Sequence, residues 1–163
     1  MLLSKPPGTG IVLAAGDAGD TAWAVQSMRR LNRAAAEAVS ALGEPPGAVT
    51  DVTGFGLLGH AWEVAERSGA VVELESSALP LLPGALAAAE AGVRTGGDAR
   101  NREYLAGHVT GAAPEALEAI AYDPQTSGGL LVTVAPTVAE SLTGAGFVAI
   151  GRVVVGDPSV RVR

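Results

Sequence analysis

DVTGFGLLGH, residues 51–60, places Gly54, Gly56 and Gly59 in the spacing G-x-G-x-x-G behind a carboxylate, Asp51. Three readings compete for this stretch. A short strand before the glycines and a helix after them is the layout of a dinucleotide-binding turn, and Glu73, nineteen residues after Gly54, stands where a ribose-binding acid would be expected. Against it, AVTDVT is half polar, whereas the first strand of such a unit is normally buried on both faces. Asp51 would also face a pyrophosphate with like charge. A bridging cation removes that conflict, because Mg²⁺ takes one or two carboxylates together with phosphate oxygens and water. The plainest alternative is a tight strand-to-helix turn with Asp51 hydrogen-bonded to backbone.

Working outward, Ala48–Thr53 reads as a strand and Leu57–Ser68 as a helix with Leu58, Ala61, Trp62 and Ala65 on one face. On the N-terminal side, Ile11–Ala15 reads as a short strand. A helix then starts at Thr21 behind Asp20 and carries an apolar stripe from Val25 through Met28 and Leu31 to Leu42. On the C-terminal side come a strand at 70–75, a helix at 84–92 and a helix capped by Asp98. A helix at 114–122 with Pro114 in its first turn, a buried strand at 128–135 and a helix from Pro136 follow. FVAIGRVVV reads as the last strand and PSVRVR as a frayed end. Strands and helices alternate without repeats or linkers, which predicts one α/β domain over 1–163.

Composition narrows the function. Net charge is −6, which disfavours nucleic-acid partners, since affinity for phosphate backbones comes mostly from Lys and Arg. Aromatic residues are only 4% against 48% hydrophobic, so the core must be built from Ala, Val and Leu. There is no cysteine, which excludes disulfides, thiolate metal sites and a cysteine nucleophile in this chain. No segment has the length of a membrane span and MLLSKPPGTG lacks a secretory apolar core, so a cytoplasmic protein is expected.

A second candidate is YDPQTSGGLL, 122–131. Asp123-Pro124 starts a turn, Thr126 and Ser127 offer hydroxyls, and Gly128-Gly129 open a strand. It reads either as a polar loop facing a ligand or as a glycine-rich entry to a core strand. His60 is expected to pack or cap within its own helix, and His108 has no partner near it in sequence.

DVTGFGLLGH together with DPQTSGGLL resembles the C-terminal domain of the selenophosphate synthetase (selenide, water dikinase) family. KPPGTG at 5–10, SM..LN..A at 27–34, LPLLPGALAAAEAGV at 79–93 and Arg100-Asn101 extend the likeness over essentially the whole chain. The resemblance implies an enzyme that makes selenophosphate from selenide, ATP and water with release of AMP and phosphate. It implies a three-layer α/β/α domain with a mixed sheet, partly ferredoxin-like, as in aminoimidazole ribonucleotide synthetase. It also implies Mg²⁺ held partly by Asp51, phosphate or loop contacts at Thr53, Gly54, Gly56, Thr126 and Ser127, and homodimers of the complete enzyme. The family's N-terminal ATP-binding half, with its catalytic cysteine or selenocysteine and lysine, is missing from these residues. No catalytic group is therefore expected here, and the domain alone is expected to be inactive. A non-catalytic binding module is the alternative.

Overall fold

The computed structural model describes residues 1–163. In chain order the elements are β1 (Leu2–Leu3), α1 (Thr9–Ala15), α2 (Ala18–Arg29), α3 (Arg33–Ser40), β2 (Ala48–Asp51), α4 (Gly56–Ser68), β3 (Ala70–Leu74) and α5 (Ala85–Glu90). They continue with α6 (Gly96–Tyr104), β4 (Val109–Gly111), α7 (Glu115–Tyr122), β5 (Leu130–Thr133), α8 (Pro136–Gly144), β6 (Val148–Ala149), β7 (Gly151–Val155) and β8 (Ser159–Val162). The α/β expectation holds, with the strands divided between two four-stranded sheets, ordered β2-β5-β1-β6 and β4-β8-β3-β7. The first is antiparallel throughout. The second is mixed, with β8 parallel to both β3 and β4 and β7 antiparallel to β3.

Helix α4 forms because its apolar residues recur at three- and four-residue steps, and it sits between the two sheets. Leu57, Leu58, Ala61, Trp62, Val64 and Ala65 are buried against Leu3 and Leu131 of the first sheet and Val72, Leu74, Val160 and Val162 of the second. Burying a side chain such as Leu58 stabilises the fold by roughly 1.5–3 kcal/mol. The first sheet is covered on its other face as well, where Leu2 and Val132 meet Val39 of α3 and Leu142 of α8. Alternate residues of β1 and β5 thus enter two different cores, which makes this part three-layered. A third core joins α1, α2, α5 and α7 through Ile11, Val12, Ala24, Ala85, Ala89 and Ile120.

Several local expectations fail. Ile11–Ala15 lies in helix α1, because its first N–H groups are capped by side chains more than a hundred residues away, described below. The long N-terminal helix is two helices. Its expected stripe breaks at Leu31, which is 75% exposed, and the cap is Asp17, whose carboxylate accepts from the N–H groups of Gly19 and Asp20. Thr95, not Asp98, occupies the cap position of α6; Asp98 lies in the first turn and pairs with Arg102. Pro114 itself occupies the cap position of α7.

The run FVAIGRVVV divides at buried Ile150, so that β6 joins one sheet and β7 the other. PSVRVR is no frayed end: β8 is an inner strand, with Val160 and Val162 in the core and Arg161 and Arg163 outside it. No helix is long and apolar enough to cross a membrane.

Candidate functional site

The glycine turn joins the end of β2 to α4, and its backbone is tied at several points. Val52 N–H donates to Gly129 O at 2.9 Å, and Thr53 O accepts from Gly56 N–H and Gln125 N–H at 3.0 Å each. The Asn101 side-chain amide, reaching in from α6, donates to Gly54 O at 3.0 Å and to Tyr122 O at 2.8 Å. His60 folds back over the first turn of α4. Its Nε2 accepts from Thr53 N–H at 3.0 Å and lies 3.0 Å from Thr53 Oγ1, while Nδ1 faces Glu63 Oε2 at 3.0 Å. A backbone N–H aimed at Nε2 requires that nitrogen to be the acceptor, which places the ring proton on Nδ1 toward Glu63. The expected capping role of His60 is what is found.

Gly56 has φ +71°, and a Cβ there would lie 2.7 Å from Tyr122 O, so both conformation and space demand glycine. Gly54 meets nothing within 4 Å and carries no such demand.

The loop 123–129 packs against this turn and against the segment that leads into α1. Gln125 Oε1 accepts from Gly8 N–H at 3.0 Å, Thr9 N–H at 3.1 Å and Thr9 Oγ1 at 3.0 Å. Asp123 Oδ2 accepts from Ile11 N–H at 3.0 Å and from Gln125 Nε2 at 3.1 Å, and Thr95 Oγ1 reaches Oδ1 at 3.3 Å. These two side chains satisfy the N–H groups that a helix start leaves unpaired. Burial pushes the Asp123 carboxyl up to about 6, against the opposing pull of the Ile11 and Gly10 N–H groups, Gln125 and Thr95.

Beyond Gln125 the loop turns outward. Thr126 and Ser127 are exposed, and Ser127 holds φ +53°. A non-glycine residue in that region stores strain of roughly 1–3 kcal/mol. The strain is held by bonds on both sides: Lys5 Nζ donates to Ser127 O at 2.9 Å, and Asn32 Nδ2 to Gly128 O at 2.9 Å. Thr126 N–H donates to Thr9 Oγ1 at 3.2 Å.

Asp51 is exposed at the end of β2, opposite Leu130, and its carboxylate accepts no hydrogen bond from the protein. The bonded-to-backbone alternative for Asp51 therefore fails. No group of three His, Asp or Glu residues stands close enough to hold a metal ion by itself. The dinucleotide alternative fails on topology and chemistry. Strands β2 and β3 lie in different sheets, and β2 is an antiparallel edge strand, so β2, α4 and β3 form no βαβ unit. Glu73, the expected ribose contact, is 3% exposed and already paired with Arg152 and Arg163 at 2.7 Å and Arg161 at 3.6 Å. The Arg152 hydrogen bond, aided by the Arg163 and Arg161 charges and opposed by burial, holds its carboxyl below the usual range.

The turn that carries Thr53, Gly54 and Gly56 thus lies against the loop that carries Thr126 and Ser127, with Asp51 at the end of the strand before it. Sequence reasoning missed Asp123, Gln125, Asn101 and Lys5 as the residues that hold this arrangement. Their signal was weak, because each acts on backbone distant in sequence.

A family model described as AIR synthase related protein, C-terminal domain, matches residues 8–163. The selenide, water dikinase of Pseudomonas straminea is 41% identical over 175 residues, covering 98% of this chain and 48% of the relative. That of Caldanaerobacter subterraneus subsp. tengcongensis is 40% identical over 148 residues, 87% of this chain and 42% of the relative. The chain spans less than half the length of either curated relative. Among solved structures, E. coli HypE, a hydrogenase maturation protein, superposes with TM-score 0.62 at 19% identity, over 99% of this chain and 45% of that one. Aquifex aeolicus thiamine monophosphate kinase gives 0.59 at 16% identity, over 99% and 48%. These likenesses are of fold.

Proposed function

Since the chain belongs to the AIR synthase related proteins, C-terminal domain, we propose that it is the C-terminal part of a selenide, water dikinase. That enzyme is a phosphotransferase converting selenide, ATP and water to selenophosphate, AMP and phosphate. The relatives that bear this activity's name at 40 and 41% identity support the reading. The observation that carries it is Asp51, an exposed carboxylate without a hydrogen-bond partner beside a turn tied through Val52 N–H, Thr53 N–H, Thr53 O and Gly54 O.

The residues present fit one ligand of a Mg²⁺ ion. Asp51 supplies a hard oxygen donor, and the rest of the shell falls to water, phosphate oxygens and groups outside these residues. When bound, the ion neutralises phosphate charge. The chain's own part is positional. Asn101 and His60 fix the Thr53–Gly54 backbone so that Asp51 is held without rearrangement. The Thr126 and Ser127 hydroxyls are available to donate to phosphate oxygens. Lys5, the only lysine, is occupied with Ser127 O and offers no substitute for a catalytic lysine. The working enzyme accordingly needs its N-terminal ATP-binding domain, and we read it as a cytoplasmic homodimer.

In the complete enzyme, Asp51→Asn should cut selenide-dependent AMP formation at least about 100-fold, the scale on which a lost charge-stabilising group acts, with unchanged circular dichroism. Near-normal turnover overturns the assignment. The 163-residue chain alone should form no selenophosphate until the N-terminal half is added.

A further inference from the structure

The chain is acidic overall, at −6, yet Arg29 and Arg30 stand at the end of α2 outside every ion pair and side-chain hydrogen bond of the fold. With Pro6, Trp23, Gln26 and Pro83 they line a hollow of about 670 Å³. Arg30 also lines an adjoining hollow of about 160 Å³, which it shares with Lys5. Lys5 is only 4% exposed; burial first, and the Arg30 charge second, push its ammonium below the usual lysine range. Two cations thus sit close together with no carboxylate between them, an arrangement that an anion relieves. Asp20, earlier on α2, leans against Gly84 and does not line the hollow.

The same helix that carries the charges also lines the hollow with an aromatic side chain, Trp23. Trp23 is 55% exposed, whereas Trp62, the other tryptophan, is 6% exposed and stacked on His108 with ring centroids 3.9 Å apart. An indole left in water beside two guanidinium groups suits a flat ring carrying a phosphate. Volume decides between that and a bare anion. The hollow has the size of a small-molecule site and far exceeds what one phosphate needs.

We propose that this hollow is a nucleotide-class site distinct from Asp51, with phosphate on Arg30 and Arg29 and the ring against Trp23. Nothing in it requires a metal ion or the glycine turn, so it stands whether or not the Asp51 assignment does.

The test is tryptophan emission of the 163-residue chain titrated with AMP at fixed ionic strength in a chelating buffer, where the metal-dependent site is silent. Saturable quenching is expected, because Trp23 is the exposed reporter. Arg30→Gln should weaken binding about ten- to hundredfold, and Arg29→Gln should weaken it also, the range for losing a charge-assisted hydrogen bond. Asp51→Asn should leave it unchanged. Trp23→Phe should abolish the quenching while calorimetry still detects weaker binding. Inorganic pyrophosphate should bind less tightly than AMP. The proposal is overturned by absence of saturation at millimolar AMP, by wild-type affinity in both arginine variants, by equal affinity for pyrophosphate, or by loss of binding in Asp51→Asn.

Discussion

The glycine turn at 52–56 and the loop at 123–129 lie side by side, but they are built on opposite principles. The turn is held: Gly54 O and Thr53 N–H are gripped by side chains from α6 and α4, while the Asp51 side chain just before it stays exposed. The loop holds: its Asp123 and Gln125 side chains are buried and grip the start of α1, while its backbone carbonyls at Ser127 and Gly128 receive Lys5 and Asn32. A side chain that must meet a ligand is thus carried on backbone that other residues immobilise. Asp123 and Gln125, by contrast, spend their side chains on the start of α1 rather than on a ligand.

This contrast can be broken most sharply at the glycines. Gly56→Ala should destabilise the domain by about 3 kcal/mol in urea unfolding, since it meets both a positive φ and the Tyr122 carbonyl. Gly54→Ala should stay within about 0.5 kcal/mol. Equal costs would overturn the argument that position 56 alone demands glycine. Next in size, Gln125→Ala leaves buried N–H groups of Gly8 and Thr9 unpaired and should cost about 2 kcal/mol. Thr126→Ala, one residue on, should be nearly silent in stability.

Asp123 sharpens the same division through pH. Its carboxyl is raised to about 6 in the fold, so the folded chain binds its proton more tightly than the unfolded chain does. The contribution of Asp123 is therefore fully present below about pH 4 and is lost as pH rises to about 6, by roughly 2 kcal/mol. The stability of wild type relative to Asp123→Asn, measured by unfolding across that window, should decline as pH rises. A smaller loss than that of Gln125→Ala is expected for Asn101→Ala, about 1 kcal/mol in stability. In the complete enzyme it should also raise the Mg²⁺ concentration needed for half-maximal activity, a change that a purely structural role would not produce.

What could be seen in the sequence follows a physical divide. Helix α4, strand β3 and the end of α4 at Gly69 were visible because period and punctuation are local properties of the chain. The exposed candidates Asp51, Thr126 and Ser127 were visible because small polar residues beside glycines are unusual in a core. Helix α1 was misread as a strand because a seven-residue apolar element has no decisive period. Its helical state depends on caps from Gln125, 117 residues away. Strand β8 was misread for a different reason. The alternation Val160, Arg161, Val162, Arg163 was present, but arginines that flank an inner strand look like solvated ends until Glu73 is placed among them. The false dinucleotide lead arose the same way, since spacing along the chain does not reveal that β2 and β3 belong to different sheets.

The pairing of Glu73 with Arg163 spans 90 residues of chain. During synthesis at roughly 5–20 residues per second, β3 emerges several seconds before the strand that pairs with it in parallel. For most of that interval neither edge of β3 has a neighbour, since β7 also follows late, and its only acid lacks its cations. The second sheet must therefore close last, through a non-local step that is slow by its topology. Translation speed over residues 75–160, more than the stability of the finished domain, sets how long a nascent chain is exposed to misassembly at that edge.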